Sequence, residues 1–141
     1  MEIVRLNVND VLPLRQAVLW PHKSIDFCRV SDDEWGDHFG VKVDGDVICV
    51  ASVFVDEHGA RLRKFATAES FQGRGIGSQV LLFLTEYYQA RGVETFWFDA
   101  RETALSFYRK FGFTVQGDRF FKSGVAYFKM VRVLGNSRNV N

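Results

Sequence analysis

Cysteine is scarce in this chain: Cys28 and Cys49 are the only two in 141 residues. They form neither a metal-ligand pair nor a disulfide framework. Cys49, inside the apolar run Val47-Ile48-Cys49-Val50-Ala51, reads as a small buried hydrophobe. An excess of one charge is missing too. Eighteen Lys and Arg face 17 Asp and Glu, a net charge of +1, which disfavours a generic nucleic-acid or polyanion binder. No apolar run approaches the roughly 18 residues of a membrane-spanning helix. Met1-Glu2-Ile3-Val4-Arg5 does not begin a signal peptide. The expectation is a cytoplasmic protein with no membrane and no nucleic-acid partner. His22, His38 and His58 lack metal-ligand spacing, so no metal is expected. With no repeat or linker, a single domain over residues 1–134 is expected, followed by a polar tail over residues 135–141.

What the chain does have is a hydrophobic content of 47%, enough for a core, in an alternating order of elements. Ile3 to Leu6 reads as a first strand. Val11, Leu14, Ala17 and Val18 recur at helical spacing, with Asp10 as N-cap and Pro13 in the first turn. The stretch from Pro21 to Asp37 has no period and is long for a connection. Phe39–Val43 and Val47–Val55 read as strands joined at Asp44-Gly45-Asp46. Leu62–Thr67 is a third strand of this group. Ile76, Val80, Leu84 and Tyr87 or Tyr88 make a helical stripe stopped at Gly92. Thr95–Phe98 is a central strand. Asp99 and Glu102 have capping-box spacing ahead of a helix that ends at Gly112. Phe113–Val115 and Phe120–Val133 close the chain as a strand pair turned through Gln116-Gly117-Asp118. This order predicts one mixed sheet of the α/β (α+β) class with helices against its faces.

Between strand and helix lies Gln72-Gly73-Arg74-Gly75-Ile76-Gly77. Glycines there let backbone N–H groups approach a ligand closely. The first N–H groups of the helix point at that ligand, and the helix dipole favours negative charge. The loop reads as a phosphate cradle. It lacks the Lys of a P-loop and the glycine spacing of a dinucleotide site.

Two motifs in order resemble the GNAT family of N-acetyltransferases. Gln72, Gly75 and Gly77 fill the family's Gln/Arg-x-x-Gly-x-Gly/Ala loop. Phe107-Tyr108-Arg109-Lys110-Phe111-Gly112-Phe113 fills its Phe-Tyr-x-x-x-Gly-Phe pattern. The resemblance runs from about Phe39 to Val133. It implies a twisted, mostly antiparallel central sheet with helices on both faces. The fourth and fifth strands, here Leu62–Ala68 and Thr95–Asp99, splay apart around acetyl-coenzyme A. The resemblance places the pantetheine arm along Phe65, Ala66 and Thr67. The pyrophosphate sits on the N–H groups of Gln72, Gly73, Arg74, Gly75, Ile76, Gly77 and Ser78. Asp99 stands where many members have Asn in polar contact near the pantetheine or acetyl group. Asp keeps the acceptor and loses the amide donor. Ala126-Tyr127 replaces the Pro-His of some small bacterial members.

The implied activity is transfer of an acetyl group from acetyl-coenzyme A to a primary amine by direct attack in a ternary complex. The alternative is a catalytically silent coenzyme A-binding sensor on the same fold. Transfer needs a neutral amine, donors for the oxyanion and a proton for the leaving thiolate. The resemblance puts Tyr108 near the sulfur as that proton donor; by itself Tyr108 also reads as an amphipathic core residue. The resemblance also implies a backbone N–H near Phe65 to Thr67 as the oxyanion donor. Glu57, Glu69, Asp99 and Tyr127 all remain open as the base. Arg29, Arg63 and Lys64 suit an acceptor bearing a carboxylate, or are scattered surface charge. The acceptor is a small molecule or a peptide, and the protein a monomer or homodimer.

Overall fold

The computed structural model describes residues 1–135; the rest of the expected polar tail lies outside the described residues. The elements are β1 (Glu2–Leu6), α1 (Val8–Leu19), β2 (Asp37–Val43), β3 (Asp46–Asp56), β4 (Gly59–Thr67), α2 (Ile76–Ala90), β5 (Thr95–Arg101), α3 (Leu105–Arg109), β6 (Thr114–Lys122) and β7 (Val125–Val133). They form a seven-stranded mixed sheet in the order β1-β2-β3-β4-β5-β7-β6. β4 and β5 run parallel, while β1 with β2, β2 with β3, β5 with β7 and β6 with β7 are antiparallel. Within this α/β architecture the described residues divide into two compact units, Met1–Phe54 with Leu62–Phe83, and Val55–Arg61 with the residues from Leu84 onward.

In the first unit, helices cover both faces of the strands. Phe39 and Ala51 are directly opposite in the β2–β3 ladder, as are Gly40 and Val50, so Phe39 and Val50 lie on opposite faces. Phe83 of α2 packs edge-on to Phe39 at 6.0 Å. Val11 and Leu14 of α1 cluster with Val50 and Ala66 on the other face. Asp44 (φ 51°) and Gly45 (φ 85°) are both left-handed, the two-residue hairpin that the sequence signalled.

The start of α1 differs from the sequence expectation. Asn7, not Asp10, is the N-cap; its side chain accepts from the Asp10 N–H, and the Asp10 carboxylate accepts from the Asn7 N–H at 3.1 Å. This reciprocal capping box satisfies two helix-terminal donors and begins the helix earlier. Pro13 therefore falls inside the helix rather than in its first turn. The missing N–H costs helix stability, offset by complete or near-complete burial of Val11, Leu12 and Leu14.

In the second unit, Phe96, Phe98 and Ala100 of β5 are buried on one face with Tyr88 of α2 and Phe113. α2 ends where expected. The Gly92 N–H bonds Gln89 O at 3.1 Å and the Val93 N–H bonds Tyr88 O at 3.0 Å, with Gly92 at φ 80°. Gln116-Gly117-Asp118 is not the closing turn. It is an irregularity within β6, where the register jumps between Gln116↔Lys129 and Phe120↔Tyr127. The turn is Ser123-Gly124, both left-handed at φ 50° and 78°, between the paired Lys122 and Val125. A glycine with positive φ serves a bulge as readily as a turn, which is why the triplet misleads.

Candidate active site

The glycine loop in the first unit is built from β4 outward. The Ala68 N–H is fixed to Ile48 O at 2.8 Å, and a 3₁₀ turn follows at Glu69–Phe71. The Gln72 side-chain amide donates to Thr67 O at 2.9 Å, tying the loop back to the strand end. Gly73 (φ 75°) and Gly75 (φ 79°) are left-handed, and a Cβ on either meets nothing within 4 Å. Backbone conformation rather than crowding requires glycine here, and the space beside the loop is open. The first helical bond of α2 runs from Gln79 N–H to Gly75 O at 3.1 Å. The N–H groups of Ile76, Gly77 and Ser78 are thus the donors that a helix start leaves without intrahelical partners. No acidic side chain occupies this first turn, so the positive end of a helix of 15 residues is left for an anion. Arg74 lies with its guanidinium 5.1 Å from the Phe71 ring centroid.

β4 supplies Phe65, Ala66 and Thr67. Ala66 is core, Phe65 lies 3.5 Å from where a Cβ on Gly77 would stand, and the Thr67 hydroxyl donates to Cys49 Sγ at 3.5 Å. Just before them, Lys64 is left-handed at φ 54° within the strand. A non-glycine residue there is strained, and such strain gathers at functional sites. Nothing in the sequence announces it, because Lys carries no signal for positive φ.

Tyr108 belongs to α3 in the second unit. Its ring lies 4.4 Å from Phe98, 5.1 Å from Phe107 and 6.5 Å from Phe113. Burial among these rings pushes the phenol pKa up, so the hydroxyl is a proton carrier at neutral pH. The stop of this helix at Gly112 is as expected, with the Gly112 N–H bonded to Arg109 O at 3.1 Å and φ 86°.

Asp99 caps no helix. It is a β5 residue opposite Lys129, and the turn before α3 is entered through Arg101 without a side-chain cap. The strand pairs Asp99 into the ladder, so its carboxylate is spent on cations instead: Oδ2 accepts from Arg61 Nη2 at 3.0 Å and Lys122 Nζ at 3.1 Å. With a side chain 15% exposed, it is the half-buried carboxylate among the open bases. Glu57 is 86% exposed beside His58, Glu69 is exposed, and the Tyr127 ring stacks on Phe120 at 5.9 Å. Strand alternation puts Asp99 on the face opposite the one Phe98 turns to Tyr108. Of the cations considered for an acceptor, Arg29 pairs with Asp26 at 3.1 Å, and Arg63 and Lys64 each lie 6.0 Å from a ring centroid, of Phe54 and Trp20.

Sequence reasoning missed a buried network in the first unit. Arg15 of α1 is fully buried. Its two terminal nitrogens each donate to Asp33 at 2.9 Å, and also to Cys28 O at 3.1 Å and Ser52 Oγ at 2.8 Å. His38 joins through Nδ1 to Ser52 Oγ at 2.7 Å and Nε2 to Asp33 O at 2.8 Å. The carbonyl only accepts, so Nε2 donates to it. Burial alone would raise the Asp33 pKa. The hydrogen bonds from Arg15 and the Val30 N–H, with the charge of Arg15 and the nearby His38, outweigh it and hold the carboxyl below its ordinary value. The network pins the aperiodic stretch after α1 to the sheet. Cys28 and Cys49 are buried, and burial pushes the Cys49 thiol pKa up, away from a nucleophile. Among the described residues no group of three or more His, Cys, Asp or Glu could hold a metal, and no helix is long and apolar enough to cross a membrane.

Known proteins share this fold. The uncharacterized N-acetyltransferase YitI of Bacillus subtilis (strain 168) is 29% identical over 98% of this chain and 99% of that protein. The ribosomal-protein-S18-alanine N-acetyltransferase from Escherichia coli has a similar fold, with a TM-score of 0.83, 20% identity, and coverage of 99% of this chain and 98% of that one. A GNAT family acetyltransferase from Elizabethkingia anophelis with acetyl-CoA bound gives a TM-score of 0.74 at 16% identity, over 94% of this chain and 97% of that one. The Acetyltransferase (GNAT) family model matches residues 9–113, which include most of α1, the glycine loop and Tyr108, and the chain belongs to that family of acetyltransferases.

Proposed function

We propose that this acetyltransferase moves the acetyl group of acetyl-coenzyme A to a primary amine by direct attack in a ternary complex. The observation that carries the reading is the glycine loop: two left-handed glycines with open space beside them, followed by a long helix with no acid in its first turn. A pyrophosphate suits that cradle. Gly73 and Gly75 would let it approach, and the N–H groups of Ile76, Gly77 and Ser78 would donate to it. Phe65, Ala66 and Thr67 would take the pantetheine arm along the edge of β4.

Acetyl-coenzyme A supplies a thioester activated toward nucleophiles. The amine nitrogen forms a bond to the acetyl carbon, the carbon–sulfur bond breaks, and the sulfur leaves with its electron pair. In this reading Tyr108 protonates that sulfur as it leaves. Its phenol stays protonated well above neutral pH, and its ring is fixed by Phe98, Phe107 and Phe113. The proton lost by the amine restores the phenol through water. A free alkylamine of pKa about 10.4 costs about 4–5 kcal/mol to neutralise at pH 7, so rates should climb as pH rises toward that value. Lys64, left-handed at φ 54°, departs from extended backbone just before Phe65, and a strand N–H in this region would then serve as the oxyanion donor.

Thiol release from acetyl-coenzyme A with a panel of amines tests this, together with calorimetric binding of coenzyme A. Release with at least one amine is expected. Tight coenzyme A binding with no release across mono-, di- and peptide amines at several pH values would favour a silent sensor instead.

A further inference from the structure

The second unit seats one of its own ammonium groups on the Asp99 carboxylate. Lys122 Nζ lies 3.1 Å from Asp99 Oδ2, 4.8 Å from the Tyr127 ring centroid and 5.7 Å from that of Phe120. A carboxylate beside two aromatic faces offers a charged hydrogen bond and cation–π attraction together, the chemistry that holds an alkylammonium. The seat does not depend on its present occupant. Asp99 is 15% exposed and keeps its bond to Arg61, whereas the Lys122 side chain is 49% exposed. Lys122 also sits on the rim of the tight Ser123-Gly124 turn, at the tip of the β6–β7 hairpin. A flexible four-carbon stem at such a place exchanges with solvent readily.

From this we infer that the Asp99–Tyr127–Phe120 seat binds an ammonium of the acceptor, with Lys122 as an internal competitor that fills it when no acceptor is bound. The inference rests on the reading that the chain acetylates amines, and it narrows the acceptor class. A carboxylate stabilises the charged form of an amine, so the nitrogen held on Asp99 is not the one that attacks. The seat therefore suits an acceptor with two amines on one alkyl framework, one anchored as ammonium and one free to lose its proton and react. An aliphatic diamine and a lysine-bearing peptide share this chemistry.

Calorimetric titration of cadaverine into the full chain saturated with coenzyme A tests the seat without any turnover. Lys122→Met should bind cadaverine about two- to fivefold tighter than the parent, the span expected for release of one exposed ion pair. Adding Asp99→Asn to Lys122→Met should abolish the gain. In thiol release, the KM for cadaverine should fall by the same factor in Lys122→Met, while that for pentylamine, with no second ammonium, should move less than twofold. The same comparison with a lysine-containing tripeptide distinguishes a peptide acceptor from a free diamine. Unchanged or weaker cadaverine binding by Lys122→Met, or a gain that survives Asp99→Asn, overturns the seat. The two readings fail separately. Tighter cadaverine binding with no thiol release from any amine keeps the seat and removes the transfer; thiol release with unaltered cadaverine binding does the reverse.

Discussion

Tyr108→Phe separates chemistry from packing more cleanly than any other single change. The ring contacts of Tyr108 with Phe98, Phe107 and Phe113, at 4.4, 5.1 and 6.5 Å, are made by carbon atoms that phenylalanine keeps. No apolar contact is lost and no cavity opens, so stability should change by less than about 0.5 kcal/mol, the range of substitutions that break no structural feature. Loss of a positioned acid removes about 10²–10⁴ in rate, equivalent to about 3–5 kcal/mol of transition-state stabilisation. The KM for acetyl-coenzyme A should stay near the parent value, because the cradle at the start of α2 is untouched. The defect should also depend on pH. A thiol of pKa about 8.5 leaves without help once the medium is more basic than that, so the mutant should approach the parent as pH rises from 7 to 9.5. The assay is initial-rate thiol release across that range with acetyl-coenzyme A titrated at each pH, beside thermal melts of both proteins. A mutant within threefold of the parent kcat at pH 7, or a deficit equal at every pH, would refute the acid role of Tyr108.

Asp33→Ala should cost about 3–5 kcal/mol in urea titrations, because it strands the fully buried Arg15 without its carboxylate. The Asp33 pKa is depressed in the fold, so its stabilisation is complete above the unfolded value near 3.9 and is lost as pH falls through the lower folded value. Unfolding of the parent in acid should accordingly be steeper than that of Asp33→Ala, as circular dichroism would record. Gly75→Ala puts a side chain at φ 79° and should weaken coenzyme A binding about tenfold by calorimetry, through about 1–2 kcal/mol of left-handed strain that the cradle resolves by moving. Gly124→Val, at φ 78° in the β6–β7 turn, should lower the melting temperature while leaving coenzyme A affinity alone.

Local chemistry wrote much of this fold into the sequence. Asp44-Gly45 demands a left-handed pair and obtains it. Gly92 and Gly112 stop their helices through backbone bonds that only a left-handed residue allows easily. The glycine loop was legible for the same reason, and the resemblance added the sheet and the part assigned to Tyr108. Features that depend on residues far apart were not legible. Arg15 and Asp33 stand 18 positions apart, each an ordinary surface type until α1 and the stretch after it fold together. Asp99 had the spacing of a cap, yet the ladder opposite Lys129 claimed it for the strand. Asn7 displaced Asp10 as cap because the pair satisfies two donors where Asp10 alone satisfies one. Ser123-Gly124 and Gln116-Gly117-Asp118 compete as turns on composition alone, and the register of β6 against β7 decides between them.

Phe98 turns its ring to Tyr108, and the next residue, Asp99, carries its carboxylate on the opposite face with Arg61 and Lys122. A carboxylate on the face of Tyr108 would accept the phenol hydrogen and hold it back from a leaving sulfur. It would also raise a phenol pKa already pushed up by burial. Placed across the strand, the same carboxylate leaves the Tyr108 hydroxyl undisturbed and bonds Arg61 and Lys122 instead. Under the proposed mechanism, the single-residue offset between Phe98 and Asp99 would divide β5 into a face that gives a proton and a face that holds a cation. A substitution that slid β5 by one residue against β7 would exchange the two faces. Such a slip should abolish turnover even where the loop at the start of α2 still binds coenzyme A.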